Sequence, residues 1–275
     1  MTTITAPPAV ARQSKRDPRV TTPRVIASEW IKFRTVRSTI ITLALTVTVV
    51  IGLGLIVSSV TGHSTGNRGP GSALRDPTSI SLTGLSLAAL AVAVLGVLTS
   101  AGEYSTGSIR STLTAVPTRL PVLWAKAIVV ASVTFLAMTV AVFVAFAGGQ
   151  ALLAAAGHTS ASLSDPGVLR AVIGAAGYLA GASLIGLAVG ALLRNTAGAV
   201  ATVIGALFVL PGLVQALPNS WNAVTRYLPS NAASAFTSVH HATSRLSPWL
   251  GLAVYVAYIA VLLAAAALLL KRRDA

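Results

Sequence analysis

Residues 171–217 read AVIGAAGYLAGASLIGLAVGALL, then RNT, then AGAVATVIGALFVLPGLVQAL. Two uncharged apolar runs, Ala171–Leu193 and Ala197–Leu217, are separated by Arg194-Asn195-Thr196 alone. Each run supplies the roughly 20 residues that an α-helix needs to cross a bilayer. Three residues between them allow a tight turn and no domain, so the stretch predicts a helical hairpin of two membrane spans. Outward from it, the same test finds Thr39–Val60, Ile80–Thr99, Ala127 to about Ala147, and Trp249–Leu270. The fold class is therefore all-α, a polytopic membrane protein with six transmembrane helices. The third span is ended at Gly148-Gly149-Gln150, which makes Ala151–Ala156 an outer-surface extension.

Composition agrees. The chain has 275 residues, 54% hydrophobic and only 9% charged, where a soluble domain carries about 25% charged residues. The first run follows a basic N-terminal region, but its uncharged length exceeds the roughly 7–15 residues of a signal-peptide core, and no A-x-A site follows. It reads as a retained span. With no cysteine present, disulfides, thiolate metal sites and cysteine nucleophiles are excluded.

The net charge of +14 would suggest nucleic acid in a soluble protein, so the placement of the 20 Lys and Arg matters. One set of connecting segments holds 15 of them: Arg12, Lys15, Arg16, Arg19, Arg24, Lys32, Arg34 and Arg37, then Arg110, Arg119 and Lys126, then Arg194, then Lys271, Arg272 and Arg273. The alternate set holds Arg68, Arg75, Arg170, Arg226 and Arg245. The positive-inside rule places both termini in the cytoplasm and accounts for the basic excess with no nucleic-acid partner.

Residues 1–23 are rich in Thr, Pro and Arg and predict a disordered cytoplasmic tail; 271–275 form a short basic tail. From Arg24 to Ser38, Ile26, Trp30 and Phe33 fall on one helical face, which predicts a helix lying in the inner membrane interface before the first span. The outer loop Thr61–Ser79 reads as a mobile connector. In Pro218–Pro248, Trp221, Val224, Tyr227 and Leu228 predict a short amphipathic outer helix ended by Pro229.

Chemistry is sparse. No G-x-x-x-x-G-K-[ST] or H-E-x-x-H motif occurs, and the four histidines, His63, His158, His240 and His241, lie in outer segments. Gly62-His63-Ser64-Thr65-Gly66 matches G-x-S-x-G, but it follows a membrane span directly and lacks the strand that a nucleophile elbow requires. No catalytic, cofactor-binding or metal-ligating residue is assigned and no cofactor is expected. All six acidic residues, Asp17, Glu29, Asp76, Glu103, Asp165 and Asp274, fall outside the apolar cores. An ion-driven carrier usually places such groups within its helices. Any energy source is therefore expected in another chain. Thr42, Thr46, Thr48 and Gln215 are scattered polar groups that name no substrate. In the fourth span, Gly174, Gly177 and Gly181 share one face and Gly186 and Gly190 the opposite one, which predicts close helix packing, within one subunit rather than across a dimer. Pro211-Gly212 predicts a kink in the fifth.

The segment from Ser100 to Lys126 is too long for a simple reversal and reads either as a short surface helix, Ser108–Val116, closed by Pro117, or as a solvated basic loop that only fixes topology. Here the sequence resembles the permease subunits of type-two ATP-binding-cassette (ABC) transporters, especially the short six-span actinobacterial kind. The resemblance lies in Glu103-Tyr104, Gly107-Ser108-Ile109-Arg110, Thr112-Leu113, Pro117, Arg119 and Lys126, together with Ser28-Glu29-Trp30-Ile31-Lys32-Phe33-Arg34-Thr35-Val36-Arg37-Ser38 and Tyr227-Leu228-Pro229-Ser230-Asn231. Ser105-Thr106 and Pro121 depart from that pattern. The resemblance implies an ATPase-coupling region built on Glu103, Thr106, Gly107, Ser108, Ile109, Arg110, Leu113, Pro117 and Arg119, and an interfacial helix carrying Glu29, Trp30, Lys32, Phe33 and Arg34. It further implies an exporter in the bacterial plasma membrane, with a second permease copy as homodimer partner and separate ATP-binding subunits. A self-contained carrier or channel, or a non-transport assembly factor, are the alternatives.

Overall fold

The computed structural model describes residues 21–63, 76–105, 107, 119–215, 225–239 and 246–272. In chain order its helices are α1 (Thr22–Thr35), α2 (Arg37–His63), α3 (Pro77–Ser81), α4 (Leu85–Ser105), α5 (Arg119–Ala155), α6 (Val168–Leu193), α7 (Thr196–Ile204), a π-helical turn (Gly205–Val209), α8 (Leu210–Gln215), α9 (Pro229–Thr237) and α10 (Pro248–Arg272). Six of these segments are long and apolar enough to span a membrane: α2, α4, α5, α6, the run Thr196–Val214, and α10.

Small residues decide which helix is central. In α6 the apolar window is 72% buried by the rest of the protein, against 17% in α2, Thr196–Val214 and α10. A Cβ on Gly96 of α4 would strike the Ser183 carbonyl of α6, and one on Gly186 of α6 would strike the Ala93 carbonyl of α4. The two helices thus touch backbone to backbone, as small residues permit in bilayers, and Ser100 Oγ donates to the Leu187 carbonyl at 2.9 Å. On the other side of α6, Gly181 makes room for Tyr255 and Ile259 of α10. The Tyr255 hydroxyl donates to the Tyr178 carbonyl at 2.8 Å, with its ring 5.8 Å from that of Phe236 in α9. Of the two glycine faces expected from sequence, Gly174 and Gly181 meet α9 and α10, and Gly186 and Gly190 meet α4.

The hairpin turn is as tight as expected. Arg194 adopts φ 53°, the left-handed conformation common at helix C-termini, and Asn195 caps α7 by accepting from the Gly198 N–H at 2.9 Å. The irregularity expected at Pro211-Gly212 takes the form of the π turn just before it. Pro211 offers no N–H and its ring crowds the carbonyl four residues back; the wider turn accommodates both.

Five expectations need correction. Gly148-Gly149-Gln150 does not end the third span: α5 runs unbroken to Ala155, 37 residues or about 55 Å at 1.5 Å per residue. Its glycines are contact surfaces, Gly148 against Leu55 and Gly149 against the hydroxyls of Ser58 and Ser81. The second span starts at Leu85 rather than Ile80, because Ile80 and Ser81 belong to α3, which Asp76 caps by accepting from the Thr78 N–H at 3.0 Å. That same span runs on to Ser105, taking Glu103 and Tyr104 into the helix. Pro229 begins a helix rather than ending one; at the first helical position its missing N–H costs nothing. Tyr227 and Leu228 lie in the turn before it, while Trp221 and Val224 fall outside the described residues, as do residues 1–20, 64–75 and 273–275. The interfacial helix begins at Thr22, two residues earlier than expected, with Pro23 in its first turn.

Candidate functional site

Helix α1 docks along the start of α5 through apolar contacts. Val25 packs with Val122 and Ala125, and Phe33 joins Leu123, Val129 and Val130 with Leu187 of α6 and Leu270 of α10. Between these contacts on α1, one helical turn from each, stands Glu29, and it is 3% exposed. Burying a carboxylate is costly unless it is paired, and Lys126 of α5, itself 8% exposed, answers it: Nζ lies 2.6 Å from Glu29 Oε2 and 2.8 Å from Glu103 Oε1 at the end of α4. Lys32 of α1 closes the set, at 2.7 Å from Glu29 Oε1 and 3.2 Å from Glu103 Oε1. Among the described residues, two carboxylates and two ammonium groups thus join three helices.

Burial alone would push the Glu29 carboxyl up, but the charge and hydrogen bond of Lys126, followed by those of Lys32, outweigh it and hold its pKa below the ordinary value of 4.5. For Lys32, burial would lower the pKa, and Glu29 with Glu103 raises it above 10.5. Beside the cluster Tyr104 lies under the Arg194 guanidinium, 5.2 Å from the ring centre, linking the end of α4 to the α6–α7 turn. The four charged residues line a cavity of about 410 Å³, together with Phe33, Val129 and Val130 on its apolar wall and with Thr35, Val36, Ser38, Thr39, Thr99 and Gly102.

Of the residues singled out from sequence, Glu29, Lys32, Phe33 and Glu103 meet here. Trp30 and Arg34 do not; both are exposed. The expected stripe Ile26, Trp30, Phe33 is displaced, because the buried residues are Val25, Glu29 and Phe33. An apolarity pattern cannot foresee a carboxylate on the buried face when its partner sits 97 residues away. Gly107 adopts φ +72° in the turn leaving α4, a conformation suited to glycine. Arg119 opens α5. Thr106, Ser108, Ile109, Arg110, Leu113 and Pro117 lie outside the described residues, as does the whole expected helix Ser108–Val116. Lys126, Tyr104 and Arg194 were not singled out as a site. For Lys126 a signal existed: it is the only charged residue between Arg119 and Asp165.

The chain matches no protein-family model and no curated protein. Fold and site together define a class, a multi-pass membrane protein in which an ionic cluster fastens an extra helix to the ends of two spans.

Proposed function

We propose that the protein is the membrane-spanning permease subunit of an ABC transporter, an exporter that works as a homodimer with two separate ATP-binding subunits. It sits in the bacterial plasma membrane with both termini cytoplasmic, the sidedness that the distribution of basic residues favours. The observation that carries this reading is the position of the ionic cluster. Glu103 stands at the end of α4 and Lys126 near the start of α5, the two helices that segment 106–118 connects. A partner pushing on that segment moves both helix ends at once, and with them α1 through Glu29. The close α4–α6 contact then passes the movement into the bundle. The chain has no P-loop, so the nucleotide chemistry is assigned to the partner.

The test is co-expression with an ATP-binding-cassette ATPase subunit from the same organism, followed by co-purification and ATP-dependent flux in proteoliposomes. Arg110→Glu, or an insertion at Gly107, is expected to abolish coupled flux while leaving the protein inserted. A permease that never associates with such a subunit sinks the reading, and flux by the lone chain driven by an ion gradient selects the carrier alternative.

A further inference from the structure

The ionic cluster accounts for one side of α1 and leaves another side without a partner. At about 100° per residue, the exposed Arg24, Ile31 and Arg34 lie within roughly 80° of one another, each roughly 140° or more from the buried Glu29. Trp30 flanks Arg34 and is also exposed, and Arg37, the first residue of α2, is exposed just beyond. At this end of the bundle the acidic side chains among the described residues are Glu29 and Glu103, and Lys32 and Lys126 occupy both. Arg24, Arg34 and Arg37 make no ion pair among the described residues. The two lysines are spent inside the protein, whereas three guanidinium groups face outward without a counter-charge.

Their neighbours say what supplies it. A solvated basic surface gains nothing from large apolar side chains, yet Ile31 is 60% exposed and Trp30 47%. Past Arg37 the apolar exposure continues with Ile40 and Ile41 at the start of the first span, and Trp124 of α5 is exposed two residues before Lys126. Tryptophans favour the headgroup level of a bilayer. The three arginines thus stand where the apolar surface of a membrane span begins. An acidic protein would answer the charge but not the exposed isoleucines and tryptophans that run on into that span. A leaflet of anionic lipid answers both.

We infer that the outward side of α1, with the first residue of α2, is a docking surface for anionic phospholipid headgroups. Arg24, Arg34 and Arg37 donate to headgroup phosphates, and Trp30 and Ile31 enter the boundary layer between them. A guanidinium presents its donors as a planar fork that matches phosphate oxygens. Arg24 and Arg34 are ten residues apart, about 15 Å along the helix, a spread that suits an array of headgroups rather than one small anion. Helix α1 is then held from two sides, by Glu29 within the bundle and by lipid outside it. The surface depends on the membrane setting and not on the ATP-driven reading above.

The full chain, purified in a neutral detergent, is titrated with phosphatidylglycerol, with phosphatidylcholine of the same acyl chains, and with free glycerol phosphate, and bound molecules are counted by native mass spectrometry. Each exposed arginine beside an anionic headgroup is expected to contribute about fivefold, so phosphatidylglycerol should bind on the order of a hundredfold more tightly than phosphatidylcholine. The ratio should shrink as salt is raised. Arg24→Gln, Arg34→Gln and Arg37→Gln should each lose about fivefold of the preference, and the three together nearly all of it, while Arg24→Lys, Arg34→Lys and Arg37→Lys combined should retain most. Because these side chains are exposed and unpaired, the lipid-free unfolding temperature should stay at the wild-type value, which separates lost binding from a lost fold. Arg226→Gln removes an equal charge from the exposed turn before α9 and should leave the preference unchanged. Equal binding of the two lipids overturns the proposal, as does a triple glutamine variant that keeps the preference, or an Arg226→Gln variant that loses as much as a single change on α1. Free glycerol phosphate binding as tightly as phosphatidylglycerol overturns the assignment to a membrane source.

Discussion

The two ends of α5 solve one problem in different ways. Near its start, Lys126 reaches into an ionic cluster and fastens α1. Near its other end, Gln150 donates to the Pro77 carbonyl and to Ser81 Oγ, both at 2.9 Å, and accepts from the Ala161 N–H at 2.7 Å. It thereby fastens α3 and the strap that leads to α6. Gln150 follows Lys126 by 24 residues, about 36 Å of helix against roughly 30 Å of hydrocarbon. Both fastenings therefore fall at the borders of the bilayer, and α5 can exceed any single span because polar partners await it on either side. The difference is charge. One end relies on ion pairs that fail badly when one member is lost, the other on neutral hydrogen bonds that fail gently.

Removing Lys126 should have the largest effect. Lys126→Met leaves Glu29 buried with Lys32 as its remaining cation and is expected to cost roughly 3–5 kcal/mol, read as a lower thermal unfolding midpoint in detergent. Adding Glu29→Gln should recover part of the loss. If Lys126→Met melts like the wild type, the ionic end is not a fastening. At the opposite end, Gln150→Leu removes three hydrogen bonds without stranding a charge, and about 1–3 kcal/mol is expected. A loss matching that of Lys126→Met would erase the contrast.

pH separates the ends next. The Glu29 pKa lies below 4.5 in the folded protein, so its stabilisation is present above about pH 4.5 and is lost as pH falls through the folded value. The Lys32 pKa lies above 10.5, so its contribution is present below about pH 10.5 and is lost as pH rises through the folded value. Unfolding midpoints should form a plateau with two falling flanks. Gln150→Leu should lower the whole curve and keep both flanks, and the Lys126→Met, Glu29→Gln pair should flatten the acid flank; identical curves for the two variants would contradict the assignment. The smallest effect is expected from Tyr104→Leu, which removes the ring under Arg194 at a cost of about 0.5–1 kcal/mol. A loss above that of Gln150→Leu would show that the α4 to α6–α7 link has been undervalued.

Much of the fold was legible because a membrane span is a local property. Twenty uncharged apolar residues announce themselves wherever they stand, and the Arg194 turn is so short that its geometry follows from its length. Span ends were less legible. Gly148-Gly149 looks like an interruption, and it becomes a seat for Leu55, Ser58 and Ser81 only when α2 and α3 lie against it. Pro229 can stop a helix or start one, and the choice depends on the turn that precedes it. In the site, Glu29 and Glu103 came from resemblance to a family motif, whereas the role of Lys126 required knowing what it faces.

By itself the sequence determined six apolar helices, their order, the hairpin between the fourth and fifth, and the separation of basic from less basic connections. These rest on composition and spacing along one segment at a time. Only the tertiary structure decided that α6 is the centre, that α1 buries its carboxylate rather than its tryptophan, and that Lys126 and Gln150 fasten opposite ends of one long helix. Those are pairings between residues far apart in the chain, and no local pattern records which glycine faces which carbonyl or which lysine meets which glutamate.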